Sequence, residues 1–114
     1  MKKSQRMNYD NVLQMGLALP GVVDGLSYGA PALKVKEKMF VRHREDLDSI
    51  VLKTTFDRRE DLMAADAETY YITDHYREYE WVLVRLAKVK PDALRELLQI
   101  AHRLAVQTTR RGAR

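Results

Sequence analysis

The most regular feature of this 114-residue chain is an apolar stripe at helical spacing near its carboxyl end. The stripe follows Pro91, which suits the first turn of a helix because an N–H at that position has no partner within the helix. Its members fall three and four positions apart and so lie on one side of a helix: Leu94, Leu97, Leu98, Ala101, Leu104 and Ala105. A helix with one apolar face needs a second layer of structure to cover that face.

Two further segments have helical signatures. Asn8 is a candidate N-cap for a helix over residues 9–17, where apolar residues again recur at helical spacing. Farther along, Asp57 precedes Glu60 by three positions, as in a capping box, and predicts a short helix to about residue 65. Together with the carboxyl-terminal stripe, these signals predict three helices.

Five segments between the helices are rich in β-branched and aromatic residues, which favours strands. They are residues 32–36, 39–44, 49–54, 69–73 and 81–86. The first two flank a charged turn at Glu37 and Lys38, the pattern of a hairpin. The order of one helix, three strands, one helix, two strands and one helix predicts a two-layer α+β domain. Its sheet is antiparallel-rich and five-stranded, with three helices on one face. The stretch from Pro20 to Pro31 is expected to be an irregular loop.

Positive charge is concentrated at the chain ends. The six cations nearest the ends are Lys2, Lys3, Arg6, Arg110, Arg111 and Arg114. The whole chain has a net charge of +4, so the rest of it carries 4 − 6 = −2. We expect flexible basic tails over residues 1–8 and 107–114, around a single domain over residues 9–106.

Several classes of function lack their sequence signature. No apolar run approaches the roughly 18 residues of a membrane helix, and the first ten residues have no signal-peptide core, so we expect a cytoplasmic protein without a membrane partner. Cysteine is absent, the histidines have no metal-ligand spacing, and no glycine-rich phosphate loop occurs. We therefore expect no metal and no other cofactor. No motif for a nucleophile is present, so we expect a protein that is not an enzyme.

The segment DHYREYEWVLVRL, residues 74–86, contains the best local candidate for a site. Asp74, His75 and Glu78 place an imidazole close to two carboxylates. The alternative is a solvated turn in which Asp74 bonds backbone amides and His75 packs against Tyr76. The residues alone leave both possibilities open.

Alternation along the predicted strands separates the two faces of the sheet. In the last strand Trp81, Leu83 and Arg85 alternate with a wholly apolar set. If helices cover only the apolar set, Trp81 and Leu83 lie on the other face. That face is then either a binding surface rimmed by arginine or an area covered by loops.

The predicted hairpin adds cations to this picture. Lys34 and Lys36 share one side of the first strand, and Phe40, Arg42 and Arg44 share one side of the second. The pattern predicts a face on which lysine and arginine surround an aromatic ring.

Ordered motifs over about residues 9–106 resemble the MmcQ/YjbR-like family of small bacterial proteins. They are LP after the first helix, YGAPALKV at the hairpin, FDRRE at the second helix, and then ETYYITDHYR and WVLVRL. The resemblance implies the same order of elements and, because some members are described as DNA-binding with a double wing, DNA as a partner. Three positions depart from the family pattern, since Glu37 and Glu78 stand where Gly is usual and Lys90 where Asp is common. Glu78 adds negative charge beside His75.

The combined prediction is a non-enzymatic binding module, a DNA-binding protein of this family. Phosphate contacts are expected at Lys34, Lys36, Arg42 and Arg44. A second surface, for a ligand or partner, is expected at Tyr28, His75, Tyr76, Arg77, Trp81 and Arg85. The alternative is a protein-interaction or small-ligand-binding module with a pocket around Tyr28, His75 and Trp81. A monomer and a homodimer fit either function.

Overall fold

The computed structural model describes residues 6–112, with side chains for residues 6–107. Within that part of the chain the helices are α1 (Tyr9–Leu17), α2 (Phe56–Ala65) and α3 (Pro91–Gly112). The strands are β1 (Val22–Ser27), β2 (Ala30–Val35), β3 (Lys38–Arg44), β4 (Ser49–Lys53), β5 (Tyr70–Tyr71) and β6 (Trp81–Arg85). Single turns of 3-10 helix occupy Glu45–Leu47 and Asp74–Tyr76.

The six strands described form one antiparallel sheet in the order β1-β2-β3-β4-β6-β5. The main core lies between one face of this sheet and the three helices. Alternate residues of β4 and β6 supply the sheet side of that core, and the apolar stripe of α3 supplies the helix side. The α+β class, the three helices and the antiparallel sheet are therefore confirmed.

β1 is a sixth strand that the sequence did not predict. It lies within the stretch expected to be a loop, and it pairs with β2 so that Val22 opposes Val35. Tyr28 and Gly29, with φ of 53° and 81°, form the two-residue turn between the strands, as in type I′ hairpins. Because β1 is an edge strand with most residues exposed, it lacks the alternation that marks a half-buried strand.

The turn of the next hairpin is one residue earlier than predicted. Lys36 and Glu37 form it, with φ of 51° and 67°, instead of Glu37 and Lys38. Lys36 therefore lies in an exposed turn and not on the strand beside Lys34.

Phe40 lies on the opposite face from the one predicted. Leu33 opposes Val41 but Lys34 opposes Met39, so a bulge leaves Phe40 outside the regular pairing. Phe40 is fully buried in the helix-side core. The bulge thus puts Met39, and not an aromatic ring, on the face that carries the strand's arginines.

The N-cap of α1 is the residue that the sequence predicts, whereas the capping of α2 differs from the prediction. Asn8 is the N-cap of α1, and its side chain accepts a hydrogen bond from the backbone N–H of Asn11. The N-cap of α2 is Thr55, which accepts from the N–H of Arg58. The predicted capping box of Asp57 and Glu60 is therefore wrong.

The packed part of the chain begins before the predicted domain boundary at residue 9. Met7 is buried in the core and donates its N–H to the carbonyl of Leu86 at 3.1 Å, and Arg6 pairs with Asp48 at 2.8 Å. At the other end α3 continues past residue 106 to Gly112. Residues 1–5 and 113–114 of the expected tails lie outside the described residues, and the mobility of the tails stays a prediction. None of the helices described is long and apolar enough to span a membrane.

Candidate functional site

A groove of about 1170 Å³ lies on the face of the sheet away from the helices. The turn between β1 and β2 bounds one side, and residues 72–80, here called the groove loop, bound the other. Strands β3, β4 and β6 contribute residues between these two walls. Six residues predicted from the sequence are among its lining: Tyr28, Arg42, Arg44, His75, Tyr76 and Trp81.

Strand pairing explains why these residues meet. Arg42 opposes Val51 of β4, which in turn opposes Leu83 of β6. Directly opposed residues lie on the same face of a sheet, so the arginines of β3 point to the side on which Trp81 begins β6. The sequence predicted two separate surfaces, and the fold joins parts of both in one groove.

Four of the predicted residues lie outside the groove lining. Lys34 is half-buried on the same face as Arg42, and Lys36 lies in the hairpin turn. Arg77 pairs with Asp74 on the exposed side of the groove loop. Arg85 lies farther along the same face of β6.

Tyr76 covers the apolar floor of the groove. Its ring packs in a small cluster with Val51 and Leu83, and all three are buried. Its phenol oxygen accepts a hydrogen bond from Nη1 of Arg44 at 2.9 Å. The sequence left open whether this face is covered or free, and the answer differs along the strand, since Leu83 is covered while Trp81 stays half-exposed.

The charge of Arg44 is compensated where it lies. Its Nε and Nη2 donate to the two carboxylate oxygens of Asp46 at 3.1 and 2.8 Å. This hydrogen bonding raises the pKa of Arg44 and lowers that of Asp46. Arg44 is thus held by Asp46 and Tyr76 together.

Arg42 is the less committed of the two arginines. Its Nε donates to the carbonyl oxygen of Ser27 at 3.1 Å, and its guanidinium carbon lies 5.9 Å from the ring centroid of Tyr28. Among the described residues, no carboxylate comes within ion-pair distance of Arg42, and its terminal nitrogens donate to no protein group. Asp46 is influenced by Arg42 only through a weaker electrostatic effect on its pKa.

Aromatic rings lie close to cationic side chains at more than one place on the face of the sheet away from the helices. Tyr28 is 96% exposed and Tyr79 is 58% exposed, so both present ring surface to solvent. Lys53 lies 5.4 Å from the ring centroid of Trp81, and His75 packs edge-on against Tyr76 at 4.7 Å. Exposed rings next to guanidinium groups can stack on a planar ligand and bind an anion at the same time.

The geometry resembles a known fold and the sequence a known family. A family model named YjbR matches residues 17–104, which is most of the chain. This chain belongs to the YjbR family. It is also similar to the crystal structure of the Deinococcus radiodurans protein DR2400, of domain DUF419, with a TM-score of 0.78 and 22% sequence identity. The match covers 93% of this chain and 83% of that one, and at this identity it shows the fold alone. A search of curated proteins found no match to this chain.

One residue of this YjbR-family chain that the sequence did not identify binds the backbone of the groove loop and of the residue after it. Arg59 of α2 is only 4% exposed, although it carries a guanidinium. Its terminal nitrogens donate to backbone carbonyls at 2.7–3.1 Å. The acceptors are the carbonyl oxygens of Tyr76, Arg77, Tyr79 and Trp81.

A weak sequence signal for Arg59 exists. It falls three and four positions before Leu62 and Met63, which both pack against the core. Residues three and four positions apart share one face of a helix, so Arg59 lies on the same face of α2 as these two apolar residues, where a cation is unusual. In the described part of the chain, no group of three or more His, Cys, Asp or Glu side chains is arranged to hold a metal ion.

Proposed function

We propose that this YjbR-family protein is a non-enzymatic module that binds single-stranded DNA in the groove on the face of the sheet away from the helices. The observation that supports the proposal is Arg42, whose guanidinium has no acidic partner among the described residues and which lies in the same groove as the exposed ring of Tyr28. Unpaired bases stack on aromatic rings in a sequence-tolerant way, and a guanidinium pairs with phosphate through two parallel hydrogen bonds.

The distribution of charge on the chain favours a ligand that stacks on aromatic rings over one that needs many phosphate contacts. Of the four phosphate contacts predicted from the sequence, Arg44 is compensated by Asp46, and Lys36 lies in a turn outside the groove. Apart from the six cations nearest its ends, the chain carries −2. A duplex, which needs many phosphate contacts, is a poorer fit than a strand that offers its bases to the rings.

Trp81 provides the test, because it is the only tryptophan and it lines the groove. We expect a single-stranded oligothymidylate of about eight nucleotides, within the usual site size of such modules, to quench its fluorescence. Arg42→Ala should weaken binding about tenfold or more, because a charge-assisted hydrogen bond contributes about 1.5–3 kcal/mol. The matched control is Arg103→Ala, an exposed arginine on α3. Equal affinity of the two variants would contradict the proposal.

The second candidate is a small anionic aromatic ligand, such as a mononucleotide. It is favoured by Arg42 as well, because of the two arginines that line the groove Arg42 is the one without a carboxylate partner among the described residues, and it offers one anion site. A series of ligands from one to about eight nucleotides separates the two candidates. Affinity that grows with length supports the strand, whereas affinity that is complete with one nucleotide supports the small ligand.

A further inference from the structure

We infer that Arg59 is a positioning residue. From α2, at the end of the sheet, it holds the backbone of the groove loop and so sets the shape of the groove. The inference rests on the proposed function for its biological meaning, but its structural part is independent of any ligand. α2 and the groove loop lie at the same end of the sheet, because β4 ends and β6 begins there with Lys53 opposite Trp81.

Burial of the Arg59 guanidinium costs folding free energy, so its position needs a physical explanation. A guanidinium removed from water without a carboxylate partner loses hydration that carbonyl dipoles only partly replace. Its Nε is buried and has no hydrogen-bond partner in the part of the chain that the structure describes, which adds to the cost. Attachment of the loop to the start of α2 is already provided without Arg59, since the N–H of Thr54 donates to the Glu80 carbonyl at 3.1 Å and the N–H of Phe56 donates to the Glu80 carboxylate at 3.2 Å.

The bonds of Arg59 instead determine the course of the loop. Apart from the bond from Thr54 N–H to the Glu80 carbonyl and the pairing of Trp81 in the sheet, the backbone hydrogen bonds of the segment join residues two or three positions apart, such as Tyr79 N–H to Tyr76 carbonyl at 3.1 Å. Such local bonds define single turns but not the path that links them. In the part of the chain that the structure describes, only Arg59 joins carbonyls at both ends of residues 76–81 to one planar group.

Tyr76 connects the backbone that Arg59 holds to the groove. The backbone carbonyl of Tyr76 accepts from Arg59 at 3.1 Å, and its phenol oxygen accepts from Arg44 at 2.9 Å. The carbonyl of Trp81, at 3.0 Å from Arg59, fixes the start of β6 in the same way. A change at Arg59 should therefore move Tyr76 and Trp81 together, although Arg59 touches only their backbone and is not among the residues that line the groove.

Lysine is the informative replacement. Arg59→Lys keeps the positive charge, but one ammonium with three donors replaces two nitrogens, of which Nη1 meets three carbonyls and Nη2 meets the fourth, so the four bonds cannot all be kept. The matched control is Arg58→Lys, at the neighbouring exposed position of the same helix. Arg58 contributes only its backbone N–H to the cap at Thr55, which the substitution retains.

The first readout needs no ligand. In Arg59→Lys, we expect amide hydrogen exchange over residues 76–81 to become at least tenfold faster than in Arg58→Lys, and Trp81 emission to shift, while β2 to β4 keep their protection. Unchanged exchange in the groove loop of a folded Arg59→Lys protein would overturn the inference.

The second readout separates positioning from plain stability. At a temperature where both variants are fully folded, Arg59→Lys should bind the oligothymidylate about tenfold more weakly, and Arg58→Lys should bind as the wild type does. Equal affinity with a lowered melting temperature would make Arg59 a structural residue only, and would overturn the inference. If the wild type itself does not bind, the proposed function fails, whereas the exchange measurement still decides the role of Arg59.

The wild-type protein gives a third measurement if Arg59→Lys does not fold. A loop already held by Arg59 should be protected before ligand is added, and protection of residues 76–81 should rise less than threefold on binding. A much larger rise would show that the ligand orders the loop, which would overturn the inference.

Discussion

The guanidinium of Arg44 donates to the phenol oxygen of Tyr76 at 2.9 Å, which connects the third strand of the sheet to the groove loop. The same guanidinium binds Asp46 through two nitrogens. Arg44 therefore acts as a structural support for the groove wall, and Arg42 beside it is left to meet a ligand. This division of roles leads to the first two predictions.

Tyr76→Phe should cost about 1 kcal/mol of unfolding free energy, because it removes one hydrogen bond and keeps the ring on Val51 and Leu83. Tyr76→Ala should cost about 3–5 kcal/mol, because it also leaves a cavity above these two residues. Urea denaturation of both variants measures the difference. Equal losses would mean that the ring contributes nothing beyond its hydroxyl.

Asp46→Asn should strengthen binding of single-stranded DNA by roughly fivefold, because it removes the carboxylate that compensates Arg44 and leaves that charge for a phosphate. The guanidinium of Arg44 holds the pKa of Asp46 below its ordinary value, so the carboxylate competes with phosphate at neutral pH. Its contribution to stability is present above the ordinary carboxyl pKa and is lost as the pH falls through the lowered one. Fluorescence titration of Asp46→Asn, compared with Asp48→Asn outside the groove, tests this prediction. Weaker binding by Asp46→Asn would contradict it.

Tyr9 should make stability depend on pH in the alkaline range. Burial, assisted by the carboxylate of Asp24, raises the pKa of Tyr9 from 10.0 to about 12. The folded protein then retains a proton that the unfolded chain loses, so this contribution is complete below pH 10 and declines up to about pH 12. Tyr9→Phe should flatten the decline, and at pH 7 it should be as stable as the wild type or more so, since the buried hydroxyl has no hydrogen-bond partner among the described residues. A steeper alkaline decline in Tyr9→Phe would contradict the assignment.

Gly16→Ala should destabilise the protein although alanine is the better helix former. The added Cβ would overlap Cδ1 of Leu33, and Leu33 is fully buried, so its side chain must shift within the core. Overpacking costs about 1–3 kcal/mol, and the gain in helix propensity returns about 1 kcal/mol, so we expect a net loss of about 1 kcal/mol. Thermal melting of Gly16→Ala beside Ala18→Gly checks the sign. A raised melting temperature for Gly16→Ala would show that α1 and β2 are loosely packed.

The parts of the fold that were predicted are those whose residue types carry a local signal. The stripe after Pro91 reflects burial on one face of a helix, and β4 and β6 are rich in β-branched and aromatic residues, although their middle residues are buried on both faces of the sheet. β1 carries no such signal, because an edge strand exposed on most positions has no reason to alternate. Phe40 was assigned to the wrong face because a single-residue bulge reverses the alternation.

The site was predicted in pieces for a related reason. Local spacing identified Arg42 and Arg44 on one strand, and His75 and Trp81 in another segment, but it contains no information on which strands become neighbours. The insertion of β4 and β6 beside β3 brings the two groups together. Arg59 was missed because its acceptors lie 17 to 22 positions away in the sequence.

The basic ends of the chain are the main competing explanation for any binding to DNA. A variant with Lys2, Lys3, Arg110, Arg111 and Arg114 all changed to Gln keeps the complete chain and has a net charge of 4 − 5 = −1. Arg6 is retained because it pairs with Asp48. Binding that survives in this variant belongs to the folded body.

The salt dependence of this charge-neutralised variant tests the central claim most directly. One phosphate contact at Arg42 predicts that the logarithm of the association constant for oligothymidylate falls by about 0.7 for each tenfold increase in salt. The additional change Arg42→Ala should reduce that slope to near zero, while the remaining weak binding still quenches Trp81. A slope that is steep and independent of Arg42, or the complete loss of binding once the ends are neutralised, would contradict the groove as the DNA site.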